Sequence, residues 1–240
     1  MSFFPLHRLR LNQPSGDGID WFNSINKNLI ASIGLGTLYD AAASKSLLGP
    51  HTGTKVVGAG RGFGATDGAG TTDKILTNVS GNHGPRTYFV VAKLNGWGGS
   101  GLGRFIEGTI ATQEVFYVNN SYGLIYYRTF SGGPRTAHIN SAGAVSALFG
   151  KVASYSISFD SSNPANRPEL YVNGVRYAFN SQDSIPTGTA NATGALYIGN
   201  RASDSARCCD GTIYSVDVFD RMFSEFEHKA LAASKEQMYL

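Results

Sequence analysis

Between residues 85 and 219 the chain is built from short runs in which apolar and polar positions alternate, separated by turns rich in glycine and asparagine. Such runs predict half-buried β-strands, because successive side chains on a strand point to opposite faces. Residues 87–93 (TYFVVAK) are β-branched and aromatic almost throughout and predict a central strand. Residues 104–107 (RFIE) follow a glycine-rich loop at 95–101 (NGWGGSG), and 114–118 (EVFYV) with 122–128 (YGLIYYR) predict a hairpin closed at Asn119-Asn120. Residues 153–159 (ASYSISF) place Tyr155, Ile157 and Phe159 on one face and small polar residues on the other. The sharpest local signal is 169–172 (ELYV), then Asn173-Gly174, then Val175-Arg176-Tyr177. Asn-Gly supplies the two positive-φ residues of a type I′ turn, so these strands form a two-residue hairpin. Residues 195–199 and 211–219 add two more strands.

Only the end of the chain has a helical pattern. Ser224 to Glu227 fits a capping box, helix formers run from Lys229 to Met238, and Phe226, Ala230 and Ala233 fall on one face. Residues 1–28 lack a strand or helix period and carry turn signals at Pro14-Ser15-Gly16 and Asp17-Gly18. The organisation expected is an extended N-terminal arm at 1–28, a sandwich at 29–222 and a closing helical segment at 223–240, with no internal repeat or linker. The fold class is all-β: a two-sheet antiparallel jelly-roll sandwich.

Composition narrows the function classes. Glycine is 30 of 240 residues and charged residues are 15%, against a usual share of about 25%. A net charge of +3 gives no field that demands nucleic acid or an anionic membrane, and no apolar run reaches the ~18 residues of a membrane helix. Cys208 and Cys209 are adjacent, which suits two free thiols, one buried and one more exposed, rather than a disulfide framework. The first 18 residues lack the apolar stretch and small-residue cleavage site of a secretion signal, so synthesis in a bacterial cytoplasm is expected.

Residues 154–160 (SYSISFD), 169–174 (ELYVNG), 196–200 (LYIGN) and 210–219 (DGTIYSVDVF) resemble the central signature of the laminin-G/concanavalin-A-like jelly-roll superfamily. Arg221 with Ser224-Glu225-Phe226-Glu227 is similar to that superfamily's closing turn, in which a short helix packs under the sandwich. Residues 38–42 (LYDAA) and 60–64 (GRGFG) are similar to its first strands, so the resemblance covers about residues 29–228. Gln13-Pro14 with Gly18-Ile19-Asp20-Trp21, and the ending at 232–239 (AASKEQMY), resemble tailed-phage and prophage structural proteins of this fold. That resemblance implies a non-enzymatic virion protein, a capsid decoration subunit held to the major capsid protein or a tail protein through its arm. Phe3, Phe4, Leu6, Arg8, Arg10 and Trp21 would make the attachment, with self-association as a further contact. The alternative is a lectin-like module of a phage tail fibre or bacterial adhesin that binds a host surface glycan.

The residues were also read for chemistry. Glycosidases of this superfamily share a Glu-x-Asp-x-x-Glu strand, which is absent; Glu107 and Glu114 are separated by a turn, and Asp217 and Asp220 diverge at a strand end. Gly99-Ser100-Gly101 is no nucleophile elbow, since Leu102 follows, and the five histidines (7, 51, 83, 138, 228) are dispersed. Cys-x-x-Cys and His-Glu-x-x-His are missing, so no cofactor is expected; calcium is left open through Asp67, Asp73, Asp204 and Asp210, which equally suit turns. Gly58, Gly60, Gly62 and Gly64 fit neither phosphate-loop spacing, and the sequons at Asn78, Asn119 and Asn191 carry weight only after secretion. What remains is recognition of a sugar face by aromatic rings. Trp97 in its glycine-rich loop, with Tyr122, Tyr126 and Arg128, is the candidate glycan site. Tyr126 and Tyr127 lie on opposite faces of one strand, so one of them fills the core.

Overall fold

The computed structural model describes residues 29–34, 54–57, 74–80, 83–110, 113–138, 142–177, 181–182, 185–201 and 206–236. The strands are β1 (Leu29–Gly34), β2 (Thr54–Val57), β3 (Lys74–Ser80), β4 (Pro85–Leu94), β5 (Arg104–Gly108), β6 (Glu114–Asn119), β7 (Gly123–Phe130) and β8 (Gly133–His138), then β9 (Val152–Asp160), β10 (Glu169–Val172), β11 (Val175–Tyr177), β12 (Ser181–Gln182), β13 (Ala195–Ile198) and β14 (Gly211–Phe219). Two helices accompany them, α1 (Ala142–Ser146) and α2 (Glu225–Glu236). A six-stranded sheet has the order β1-β14-β4-β9-β10-β11, and an eight-stranded sheet the order β12-β8-β7-β6-β5-β13-β3-β2. The strand pairs are antiparallel, and the chain is a two-sheet β-sandwich.

Tyr88, Val90, Ala92 and Leu94 of β4, with Tyr155, Ile157 and Phe159 of β9, face Phe105, Phe116, Val118, Leu124, Tyr126 and Phe130 of the larger sheet. Burial of such side chains contributes about 1.5–3 kcal/mol each, so this layer is the main source of stability. β4 is a central strand as expected: its even-numbered residues enter this core, while Phe89 and Val91 point the other way into a second cluster with Phe219, Phe223, Leu231 and Ala232. That second cluster is the seat of α2 on the smaller sheet.

The hairpin at Asn173-Gly174 forms as expected, with φ of 50° and 71°, and a Cβ on Gly174 would lie 2.6 Å from the Lys229 Cα. Glycine is therefore required there twice, for the turn and for the helix packed against it. The capping box also forms: the Ser224 amide donates to Glu227 Oε2 at 2.8 Å, and the Glu227 amide to Ser224 Oγ at 3.4 Å. The helix buries a different face from the one its period suggested. Phe226 is 76% exposed and Ala233 is exposed, while His228, Leu231 and Ala232 are buried.

His228 explains that rotation. Thr87 Oγ1 donates to the Arg221 carbonyl at 2.8 Å, so in its 2.6 Å contact with Ser158 Oγ it is the acceptor. Ser158 Oγ then has lone pairs for the Phe223 amide (3.1 Å) and for His228 Nε2–H (2.8 Å). His228 Nδ1 is left to accept from Ser156 Oγ, also at 2.8 Å. The imidazole is stacked on Tyr171 at 3.7 Å between centroids and is fully satisfied as a neutral ring. Burial, then the Arg221 charge, lowers its pKa to about 3.

Candidate functional site

Four residue groups were brought forward from the sequence, and the structure treats them differently. The arm residues Phe3, Phe4, Leu6, Arg8, Arg10 and Trp21 lie outside the described residues, as do Asp67, Asp73, Asp204 and the glycines at 58–64. Trp97 and Tyr122 come to one end of the sandwich. The Trp97 loop is clamped by backbone hydrogen bonds, Gly99 N to Cys208 O at 2.9 Å, Gly103 N to Trp97 O at 2.7 Å and Asn120 N to Gly101 O at 3.1 Å. Trp97 itself is half-buried, edge-on to Phe149 at 5.0 Å, whereas Tyr122 is 44% exposed on the β6–β7 turn.

Tyr126 and Arg128 do not belong to a surface site. β7 turns Leu124, Tyr126, Arg128 and Phe130 into the space between the sheets, and Tyr126 is 2% and Arg128 1% exposed. There Tyr88 and Tyr126 each donate a phenol hydrogen to Glu114 Oε1 at 2.8 Å, and Arg128 Nη1 lies 3.6 Å from Glu114 Oε2. Burial, reinforced by the Glu114 charge, holds both phenols protonated far above their ordinary range. These residues form an interior polar network with no surface to offer a ligand. Of the two alternatives left open on β7, Tyr126 is the core residue and Tyr127 the outward one.

The cysteines also depart from expectation. Both thiols are free and both are buried, because the loop at 95–103 covers the segment that carries them on the side a strand would have left open. The glycines of that loop serve this close approach: Gly98 has φ +76°, and a Cβ there would strike the Cys208 carbonyl oxygen. Gly98→Ala is expected to lower stability by about 2–4 kcal/mol, through left-handed strain and overpacking together. Gly143→Ala, in α1 with open space around it, should be neutral or slightly stabilising. Urea midpoints of the two variants check this, and equal midpoints would contradict it.

The outer face of the larger sheet holds a group that the sequence did not reveal. In an unbroken strand Arg104 and Glu107, three apart, would point to opposite faces. β5 carries a bulge instead: Arg104 pairs with Tyr117, Ile106 with Phe116 and Glu107 with Val115. Phe105 and Ile106 both enter the core, and the phase of the strand reverses between them. Arg104 and Glu107 therefore share the outer face, where Arg104 Nε donates to Glu107 Oε2 at 3.0 Å. The next strands complete the group. Tyr197 of β13 pairs with Glu107, Tyr127 of β7 pairs with Val115, and Tyr117 lies under the Arg104 guanidinium at 4.1 Å. Lys74 Nζ sits 4.7 Å over the Tyr197 ring.

Glu107 is 0% and Arg104 8% exposed, while Tyr117, Tyr127 and Tyr197 are half-buried around them. The pair is incompletely satisfied: Arg104 Nη1 and Glu107 Oε1 are buried without a hydrogen-bond partner. Unpaired buried polar atoms cost about 1–3 kcal/mol each, so a ligand that supplied one acceptor and one donor would recover that energy. Burial, opposed by Glu107, pulls the Arg104 pKa below its ordinary value, and burial, opposed by the Arg104 charge, raises that of Tyr117.

The carboxylates do not assemble a hydrolytic pair here. Glu107 is on the outer face and Glu114 on the inner face of the same sheet, so the two cannot flank one glycosidic bond. Asp220 pairs with Arg86 at 2.7 Å, and Asp217 is buried on the outer face of the smaller sheet. Among the described residues no three His, Cys, Asp or Glu side chains are grouped to hold a metal ion, and no helix is long and apolar enough to cross a membrane.

The architecture is that of a lectin-like β-sandwich. No family model matches the chain, and no curated protein matches it. Solved structures do. The botulinum neurotoxin serotype D binding domain is similar with a TM-score of 0.61 and 12% identity over 89% of this chain and 53% of that one. The serotype D ligand-binding domain in complex with N-acetylneuraminic acid gives 0.60 and 12% over 88% and 52%. Trypanosoma rangeli sialidase in complex with 2,3-difluorosialic acid gives 0.60 and 11% over 88% and 33%. At such identities the likeness is one of fold, and this chain spans about half the length of the botulinum domains and a third of the sialidase.

Proposed function

We propose that the protein is a non-catalytic glycan-binding β-sandwich whose contact surface is the outer face of the larger sheet. The observation that carries the reading is the buried, incompletely paired Arg104–Glu107 couple ringed by three half-exposed tyrosines. Sugars present hydroxyl donors and acceptors at their edges and C–H surfaces on their faces, which suits a carboxylate and guanidinium between flat rings. The fold neighbours support the reading: one is a ligand-binding domain in complex with N-acetylneuraminic acid. Trp97 and Tyr122, at one end of the sandwich, are proposed as an accessory contact for a longer chain.

Tyr127→Ala removes an outward ring without opening the core, since the inner face of β7 is filled by Tyr126 and Arg128. Binding to immobilised bacterial surface polysaccharides is expected to fall at least tenfold in this variant, with the thermal midpoint little changed. Unchanged binding by Tyr127→Ala and by Tyr117→Ala would sink the reading.

The setting proposed is a virion, and it rests on the sequence resemblance of residues 13–21 and 232–239 to tailed-phage proteins. In that setting Phe3, Phe4, Leu6, Arg8, Arg10 and Trp21 anchor the arm to a capsid or tail subunit, leaving the sandwich to meet the host. Deleting residues 1–20 should abolish addition to bare phage heads or tails while leaving glycan binding intact; equal addition with and without the arm would contradict the attachment.

A further inference from the structure

Resting on that reading, we infer that the outer-face site selects acidic glycans, its Arg104 Nη1 receiving a sugar carboxylate and its Glu107 Oε1 accepting from a neighbouring hydroxyl. Arg104 and Glu107 cancel one another in charge, so the sign of the site is set by what surrounds them. Lys74 stands over Tyr197, which is in register with Glu107. Arg207 lies on the other flank: its carbonyl accepts from the Arg104 amide at 2.9 Å, and its charge acts on both the Arg104 guanidinium and the Tyr117 phenol. Asn200 Oδ1 holds this segment, accepting from the Arg201 amide at 2.7 Å and the Arg207 amide at 3.3 Å. Three cations thus stand against a single carboxylate on one patch of a chain whose net charge is only +3.

Arg104 is already engaged through Nε, which leaves the Nη1 edge as the unpaired donor. A guanidinium binds a carboxylate more strongly than a neutral hydroxyl, and the contrast widens where water is excluded. Glu107 would repel a second carboxylate brought to its own edge, so the acid group of the sugar is directed to the arginine side and a hydroxyl to the glutamate side. The tyrosine rings are neutral and accept either type of sugar. Selectivity therefore resides in the charges and general affinity in the rings.

The test compares a hexamer of α-1,4-linked galacturonate with its fully methyl-esterified counterpart, which keeps the ring shape and loses the charge, by isothermal titration at 50 and 300 mM salt. A broad array of neutral and acidic polysaccharides and a single-stranded DNA of matched charge complete the set. The acid form is expected to bind at least tenfold more tightly than the ester. Arg207→Gln, at a partly exposed position, should reduce that ratio severalfold without loss of fold, and Arg104→Gln should bring it close to one. Equal binding of acid and ester, or an array signal confined to neutral polysaccharides, overturns the charge selectivity and leaves the glycan reading standing. Binding of DNA as tight as that of the acidic hexamer, or no binding across the whole array, overturns both.

Discussion

Lowering the pH from 7 to 4 is expected to release the C-terminal helix from the smaller sheet before the sandwich melts. His228 is the reason. Its imidazole is wholly buried, receives a hydrogen from Ser156, gives one to Ser158 and is stacked on Tyr171. Protonating Nδ1 would turn an acceptor into a donor opposite a hydroxyl already placed to donate, and would put a charge in a site closed to water. The folded pKa is about 3, below the roughly 6.5 of a free imidazole. Between those values the unfolded chain binds a proton that the folded chain refuses. The contribution is therefore complete above about pH 6.5 and is lost progressively as the pH falls towards 3, amounting to at most about 5 kcal/mol.

Glu227 acts in the same direction. Although burial opposes it, its carboxyl is held below the ordinary value by hydrogen bonds from Ser224 and Arg221, so it too withdraws support in acid. Hydrogen exchange at pH 7, 5.5 and 4 should show the amides of α2 losing protection while those of β4 and β9 keep it. His228→Gln, which does not titrate, should start less stable and show a flatter profile between pH 6.5 and 4. A wild-type helix as well protected at pH 4 as at pH 7 would contradict the assignment.

Glu114→Ala is expected to cost about 3–5 kcal/mol, the range found when one member of a buried ion pair is removed. The substitution leaves the Arg128 guanidinium inside the sandwich without this carboxylate and strips both Tyr88 and Tyr126 of their acceptor. Tyr126→Phe, which removes one phenol from the same network, should cost about 1 kcal/mol. The double variant Glu114→Leu/Arg128→Met should be more stable than Glu114→Ala, because no charge is then left unpaired. Urea unfolding of the set measures this; a Glu114→Ala midpoint equal to wild type would show that the network contributes nothing.

What could be read from the sequence was local. The Asn173-Gly174 hairpin and the Ser224–Glu227 cap each depend on residues within four positions, and both form as expected. β8 was harder to see, since Gly132-Gly133-Pro134 has the composition of a turn. Pro134 is tolerated because β12 pairs with β8 only at Ala137 and His138, leaving the proline on a free edge. The face of α2 was misjudged because a count of apolar residues ignores His228, whose partners lie 72 and 70 positions upstream on β9. In β7 both faces carry tyrosine, and the inward one carries an arginine, so alternation alone does not say which side is buried. The outer-face site was the least legible. Arg104 and Glu107 meet only because of the Phe105 bulge, and their tyrosine neighbours arrive from three other strands by pairings that no spacing in the chain encodes.

The central claim is that this outer face, and not the helix-covered face of the smaller sheet, receives a glycan. It is tested most directly by recording backbone amide NMR spectra while titrating the protein with an acidic oligosaccharide. The account predicts that shifts concentrate on β5, β6, β7 and β13 around Arg104, Glu107, Tyr117, Tyr127 and Tyr197, and that Arg104→Gln erases them. Shifts confined to α2 and the β10–β11 hairpin, or a spectrum unchanged at saturating sugar, would contradict it.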